Sequence, residues 1–317
     1  MRDVTLEIPD GKRVGLIGQS GCGKTTLAKT ILRLNYKASH PLDSGSVIYR
    51  NQPLHHLSPS KFRPYRFKMQ MIYQDPFTSL NQKMTVENLL AETIKLKNPK
   101  LSRKNTQGKI RELANEFSIH LDQLNKRPPS LSGGECRRVG IARVMALEPE
   151  FLIADEPVAS LDASIKDQIM ELLVKRVNTL LTISHDLRII SKYSNMVVVM
   201  YAGTIMEIIH KDNLVQSAHT PGFQFFHPYT KVLERSIIYF HQKHADLPDI
   251  PDETITNGHE NGKGGNITFL GCPYAKQCQL LNQLPDESAH ICLKKVPPLR
   301  WHSTSANLIA CHHVFND

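Results

Sequence analysis

Nine residues, GQSGCGKTT from Gly18 to Thr26, constrain the chain more than any other stretch, because they fit one backbone arrangement: a glycine-rich turn joining a strand to a helix. The preceding RVGLIG (13–18) is a short apolar run ending in glycine, and from Lys24 onward Leu27, Ile31 and Leu34 recur at helical spacing. In that setting the loop's N–H groups and the helix N-terminus face the β- and γ-phosphates of a nucleotide. Lys24 adds a cation, and the Thr25 hydroxyl can ligate Mg²⁺. The candidate loop residues are Gly18, Gln19, Ser20, Gly21, Cys22, Gly23, Lys24, Thr25 and Thr26. A chance glycine turn is the bland alternative, and the strand and helix on either side speak against it.

Further buried-strand runs stand at FLIAD (151–155), TLLTIS (179–184) and MVVVMY (196–201), with helical patterns between the first pairs. Strands alternating with helices predict an α/β fold with a largely parallel sheet. Between about residues 76 and 148 the pattern is helical throughout. Thr85 is placed to cap a helix carrying Val86, Leu89, Leu90 and Ile94, and Ile110, Leu113, Ala114 and Phe117 form a second stripe. From about 236 to 268 the composition turns to Pro, Asp, Asn and Gly, which predicts a linker before a small cysteine-bearing tail. No apolar run approaches the roughly 20 residues a membrane helix needs, and the start has no signal-peptide pattern, so a cytosolic protein is expected. The net charge of +9 would favour an anionic surface or nucleic acid, and decides neither.

Three further motifs bear on chemistry. FLIADE delivers Asp155 at a strand end to hold the metal, with Glu156 following to polarise an attacking water. His185, in ISHD after the next strand, can reach a γ-phosphate; a lone histidine is more often a packing or surface residue, and only its position argues for it. In SLSGGE, Ser132, Gly133 and Gly134 open a helical stretch, so their N–H groups and the hydroxyl make a second anion site. One phosphate cannot be served by two cradles from the same side.

With these residues in place the chain resembles the ATP-binding cassette (ABC) ATPases, in which two subunits sandwich two ATP molecules and this signature loop covers the γ-phosphate held opposite. Gln74 in YQDPFTSLN and Asp162 in SLD belong to the same pattern. QDPFTSLNQKMTV (74–86) and HPYTKVL (227–233) are similar to the ATPase subunits of oligopeptide, dipeptide and nickel importers. The resemblance implies a P-loop NTPase core of RecA-like type at 1–75 and 149–210, a helical subdomain at 76–148, and an importer-type extension at 211–317. It implies a dimer with a second ATPase subunit, self or paralogue, and two membrane permease subunits fed by a solute-binding protein. It places the chain peripherally at the cytoplasmic face of the membrane. Gln74 would link the γ-phosphate and Mg²⁺ to the helical subdomain. Family members carry an extra strand and an adenine-stacking aromatic residue before the loop; no aromatic precedes Gly18 here, and the expectation is a start lying upstream.

A different reading makes the chain a non-transport cassette acting on nucleic acid or the ribosome. KFRPYRFKMQ (61–70) interleaves basic and aromatic residues. Such a run is more simply a solvated face with a buried aromatic stripe, so no nucleic-acid partner is expected. A structural, catalytically degenerate partner is argued against by the intact Lys24, Asp155, Glu156 and His185. Of six cysteines, Cys272, Cys278, Cys292 and Cys311 gather in the tail with spacing C-x5-C-x13-C-x18-C. Zinc with four thiolates is the generic reading, although the usual tight pairs are absent. The similarity of GCPYAKQC and ACHH to the importer family's tail implies instead a [4Fe–4S] cluster. Four unligated reduced thiols are the bland alternative.

Overall fold

The computed structural model describes residues 1, 3–34, 45–159, 161–211, 225–239, 270–302 and 307–314, with side chains to 234 in the segment that begins at 225. Two compact units divide the chain: Glu7–Gly15 with Thr25–Ser184, and Met1–Leu6 with Leu16–Lys24 and His185–Asp317. β1 (Arg13–Ile17) and α1 (Lys24–Ile31) lie at the boundary. Leu34 falls beyond the helix its spacing suggested and is exposed.

The first unit is built on β2 (Met69–Ile72), followed by α2 (Val86–Lys97), α3 (Arg103–Glu116) and α4 (Gly133–Met145), then β3 (Phe151–Asp155), α5 (Ala163–Arg176) and β4 (Thr179–Ile183). β2 pairs in parallel with β3, and β3 with β4 from Phe151 opposite Thr179 to Asp155 opposite Ile183. Every residue of β3 and β4 is buried, as a parallel strand covered on both faces demands. The expected helical stretch is present. Thr85 caps α2 by accepting the Asn88 N–H at 3.3 Å, and Ser102 caps α3 in the same way. The apolar stripes of both helices, with Phe117 at the end of α3, are buried. Arg176 of α5 grips Glu116 of α3 through two hydrogen bonds, at 2.7 and 2.5 Å. In the basic run at 61–70, Phe62 is buried beneath the guanidinium groups of Arg33 and Arg66, and Lys68 pairs with Glu150 at 3.0 Å. Phe62 is therefore packing, with basic side chains around it.

The second unit holds α6 (Leu187–Tyr193), β5 (Met196–Tyr201), β6 (Thr204–His210), α7 (Pro228–Tyr239), α8 (Asp286–Lys294), β7 (Arg300–Trp301) and β8 (Leu308–Ile309). β5 and β6 form an antiparallel hairpin closed by Ala202 and Gly203, both at positive φ (46° and 81°) as a two-residue turn of matching twist requires. β8 pairs with β6 and with β7, so the tail extends the hairpin. The sequence reading passed over β6 and α8. It also began the linker inside a helix: 236–239 close α7, and 240–269 lie outside the described residues. Among the described residues no helix is long and apolar enough to cross a membrane.

β6 carries one buried acid. Glu207 is fully buried, and its carboxyl accepts the Phe226 and His227 N–H groups at 2.9 and 3.2 Å, fixing the turn that opens α7. Burial lifts its pKa from 4.5 to about 7. The folded chain thus holds a proton that the unfolded chain releases. Stability from this group is complete below about pH 4.5 and is lost as pH rises through about 7, by an amount on the order of 3 kcal/mol. Thermal unfolding between pH 5 and pH 8 should therefore show a fall in midpoint that is smaller in Glu207→Gln; equal falls in the two proteins would contradict this assignment.

Candidate functional site

The phosphate loop owes its shape to glycine. Gly18, Gly21 and Gly23 sit at φ of 150°, 77° and 108°, which L side chains avoid, and a Cβ on Gly18 would lie 2.2 Å from the Met200 carbonyl oxygen. Lys24 Nζ donates to the Gly18 and Gln19 carbonyl oxygens at 2.7 and 2.8 Å, and Gly203 N–H donates to the Cys22 carbonyl at 2.8 Å. The carbonyls of Gly18, Gln19 and Cys22 are thus satisfied within the chain. Gln19 N–H is held by the Tyr229 hydroxyl at 2.9 Å. Cys22 is buried, with its thiol pushed up by that burial against the opposing pull of Lys24. Ser20, Gly21 and Thr26 are exposed.

In the other unit, Thr25 Oγ1 donates to Asp155 Oδ2 at 2.8 Å, so the loop's hydroxyl and the buried strand-end carboxylate meet as a Mg²⁺ site needs. These two donors fit the ion. Glu156 stands next in left-handed backbone at φ 49°, a strained conformation for a non-glycine residue. Backbone and side-chain hydrogen bonds hold it. Its N–H donates to the Ile183 carbonyl at 2.9 Å, Arg137 Nη1 donates to its own carbonyl at 2.5 Å, and Ser184 Oγ donates to its carboxylate at 3.4 Å.

Arg137 also donates to the Gln74 carbonyl at 2.8 Å. Its guanidinium is buried, and it joins the helix of the LSGGE segment to both the glutamine loop and the acidic strand end. The sequence reading missed this residue. Its position one turn into the helix that Ser132, Gly133 and Gly134 open was visible, but its burial was not. Gln74 itself is exposed in the loop after β2.

Ser132 is the N-cap of α4 in a reciprocal capping box, its Oγ accepting Glu135 N–H at 3.3 Å while Glu135 accepts Ser132 N–H at 2.6 Å. That N–H and one lone pair of the hydroxyl are therefore engaged within the helix. The groups of this segment that could still meet an anion are the Gly133 and Gly134 N–H groups and the Ser132 hydroxyl proton. Asp162 precedes α5, exposed and without a capping hydrogen bond. His185 follows Ser184 directly and is exposed before α6.

The four tail cysteines, far apart in sequence, line one small cavity of about 20 Å³ together with His227 and His312. Cys272 N–H donates to the Cys292 carbonyl at 2.8 Å, and Gly271 passes so close that a Cβ there would lie 2.3 Å from the same oxygen. Burial pushes Cys272 up to about 12 and Cys292 to about 11, with the neighbouring thiols adding to the rise. No disulfide joins them. Among the described residues, however, no three Cys, His, Asp or Glu side chains are grouped as ligands to one metal ion, so the expected four-thiolate cluster site is not preformed. A cavity of this size admits about one water molecule.

A family model described as "ABC transporter" matches residues 1–159. The oligopeptide transport ATP-binding protein OppF of Bacillus subtilis is 37% identical over 74% of this chain and 75% of its own length. AppF of the same organism, also an oligopeptide transport ATP-binding protein, is 33% identical over 98% of this chain and 88% of its own. In fold, the chain is similar to the dimeric bacterial ABC transporter cassette MJ0796, with TM-score 0.58 and 24% identity over 65% of this chain and 88% of that one. The loop, the paired Thr25 and Asp155, the serine-capped signature helix and these likenesses agree: the chain belongs to the ABC transporter family as one of its ATPase cassettes.

Proposed function

We propose that this cassette hydrolyses ATP to energise an importer of peptides or similar small solutes, acting as a dimer beneath two permease subunits at the cytoplasmic face of the membrane. The observation that carries the ATPase half is the Thr25–Asp155 contact, which sets a metal-binding pair at the start of the phosphate-loop helix. The transport half is supported by the oligopeptide relatives, one of which matches nearly the whole chain. We further propose the division into a nucleotide core at 1–75 and 149–210, a helical subdomain at 76–148 and an extension from 211.

Gly18 to Thr26 would bind the phosphates. Thr25, Asp155 and Gln74 would hold Mg²⁺, which supplies charge neutralisation when bound. Glu156 takes the role of polarising the attacking water, and its left-handed backbone, clamped by Arg137 and Ile183, fixes where the carboxylate is presented. His185 is assigned to the γ-phosphate. Ser132, Gly133, Gly134 and Asp162 are assigned to the ATP held by the partner subunit. Phe62 of the run at 61–70 is buried in packing, and the relatives are transport proteins, so no nucleic-acid partner is assigned.

The cysteine tail is the finer part of this reading. Convergence of four thiols on one cavity supports a thiolate centre, for which [4Fe–4S] is implied by family resemblance and zinc by ligand chemistry.

Glu156→Gln should keep ATP binding and slow hydrolysis by roughly 10²–10⁴-fold, measured as phosphate release; an unchanged rate would remove the base from Glu156. A Cβ on Gly133 meets nothing within 4 Å, so Gly133→Asp should fold normally, bind ATP through its own loop and yet fail to hydrolyse it. Mixing that variant with Lys24→Ala should restore part of the activity if the sites are shared between two copies; no recovery would assign the complementary loop to a different chain. Anaerobically purified protein should be brown and contain iron and sulfide that Cys272→Ser removes. Stoichiometric zinc would support the second ligand class, and metal-free protein would refute the thiolate centre.

A further inference from the structure

The phosphate loop is also held by residues outside its own motif. Gln19 N–H donates to the Tyr229 hydroxyl, and Tyr229 is buried, at 3% exposure, near the start of α7. Its ring packs within a tyrosine triad: 4.7 Å from Tyr201 and 5.3 Å from Tyr274, which are 5.4 Å from each other. Tyr201 ends β5, two residues before Gly203, whose N–H holds the Cys22 carbonyl.

Tyr274 belongs to the cysteine tail. It lies between Cys272 and Cys278, both of which pack against the same apolar cluster. Tyr201 Oη donates to the side-chain oxygen of the tail's Gln277 at 3.1 Å. The tail therefore holds Tyr201 by a ring contact and a hydrogen bond. Tyr229 holds the loop directly at Gln19, and Tyr201 stands two residues before Gly203, which holds it at Cys22.

We propose that Tyr229 is a positioning residue for the phosphate loop, and that through the Tyr201–Tyr229–Tyr274 triad the cysteine tail tunes the loop's affinity for nucleotide. The proposal rests on the ATP-binding reading of the loop, for which Lys24→Ala is the control. Tyr229 touches no reacting atom in this account. It fixes the peptide plane at Gln19 and so the direction of the N–H groups that follow.

The test is a double-mutant cycle in the full-length chain, read by titration with MgATP and by the ATP dependence of phosphate release. Tyr229→Phe keeps the ring and removes the hydroxyl. It should weaken ATP binding roughly 3–10-fold, as expected for one neutral hydrogen bond, and raise KM for ATP by more than it lowers kcat. A merely structural loss would lower kcat with the folded fraction and leave KM alone, and that result overturns the positioning role. Gln277→Ala, partly exposed and remote from the loop in sequence, should weaken ATP binding in the wild-type background and have no further effect beside Tyr229→Phe. Equal effects in both backgrounds would overturn the route through the triad. Should Tyr229→Phe not fold, hydrogen exchange decides: residues 18–24 should exchange faster in Gln277→Ala than in wild type, and unchanged exchange overturns the proposal.

Discussion

A loop that offers its N–H groups to phosphate has to dispose of its carbonyl oxygens elsewhere, and most of the catalytic half of this protein follows from how that is done. The Lys24 ammonium folds back onto the Gly18 and Gln19 oxygens, and the hairpin glycine Gly203 takes the Cys22 oxygen. Met200 lies so close to Gly18 that nothing larger than hydrogen fits there. The donors are consequently oriented before any ligand arrives, which is what makes fixed dipoles effective in stabilising charge.

The same economy governs the acidic strand end. A buried guanidinium is costly unless its donors are satisfied, and Arg137 meets that condition by binding two backbone carbonyls, those of Glu156 and Gln74. One side chain of the signature helix thereby stabilises a strained residue in the proposed water-polarising position and the loop proposed to sense the metal. A change of register in that helix would be felt at both. Sequence motifs usually read as separate boxes are here mechanically joined through one residue outside all of them.

The tail shows what spacing alone cannot supply. Four cysteines spread over the final segment gave a hint of a shared centre, and they do line one cavity. Whether thiols form a ligand group is decided by side-chain directions, which depend on Gly271 passing over Cys292, on α8 and on the turn at Cys311. Those directions leave no preformed metal geometry among the described residues, and burial pushes the Cys272 and Cys292 thiols up.

The sequence by itself determined the parallel strands, the capped helices and the nucleotide motif, because each is a local matter. Apolar runs in FLIAD and TLLTI, the Thr85 cap and the positive-φ glycines carry their cause within a few residues. It did not disclose β6, α8, Arg137's two carbonyls or Tyr229's hydroxyl on Gln19. The last of these joins positions 210 residues apart, and whether a tyrosine caps an amide or merely fills a core depends on what the folded chain brings beside it. Local chemistry specifies the cradle; only tertiary packing decides what holds it still.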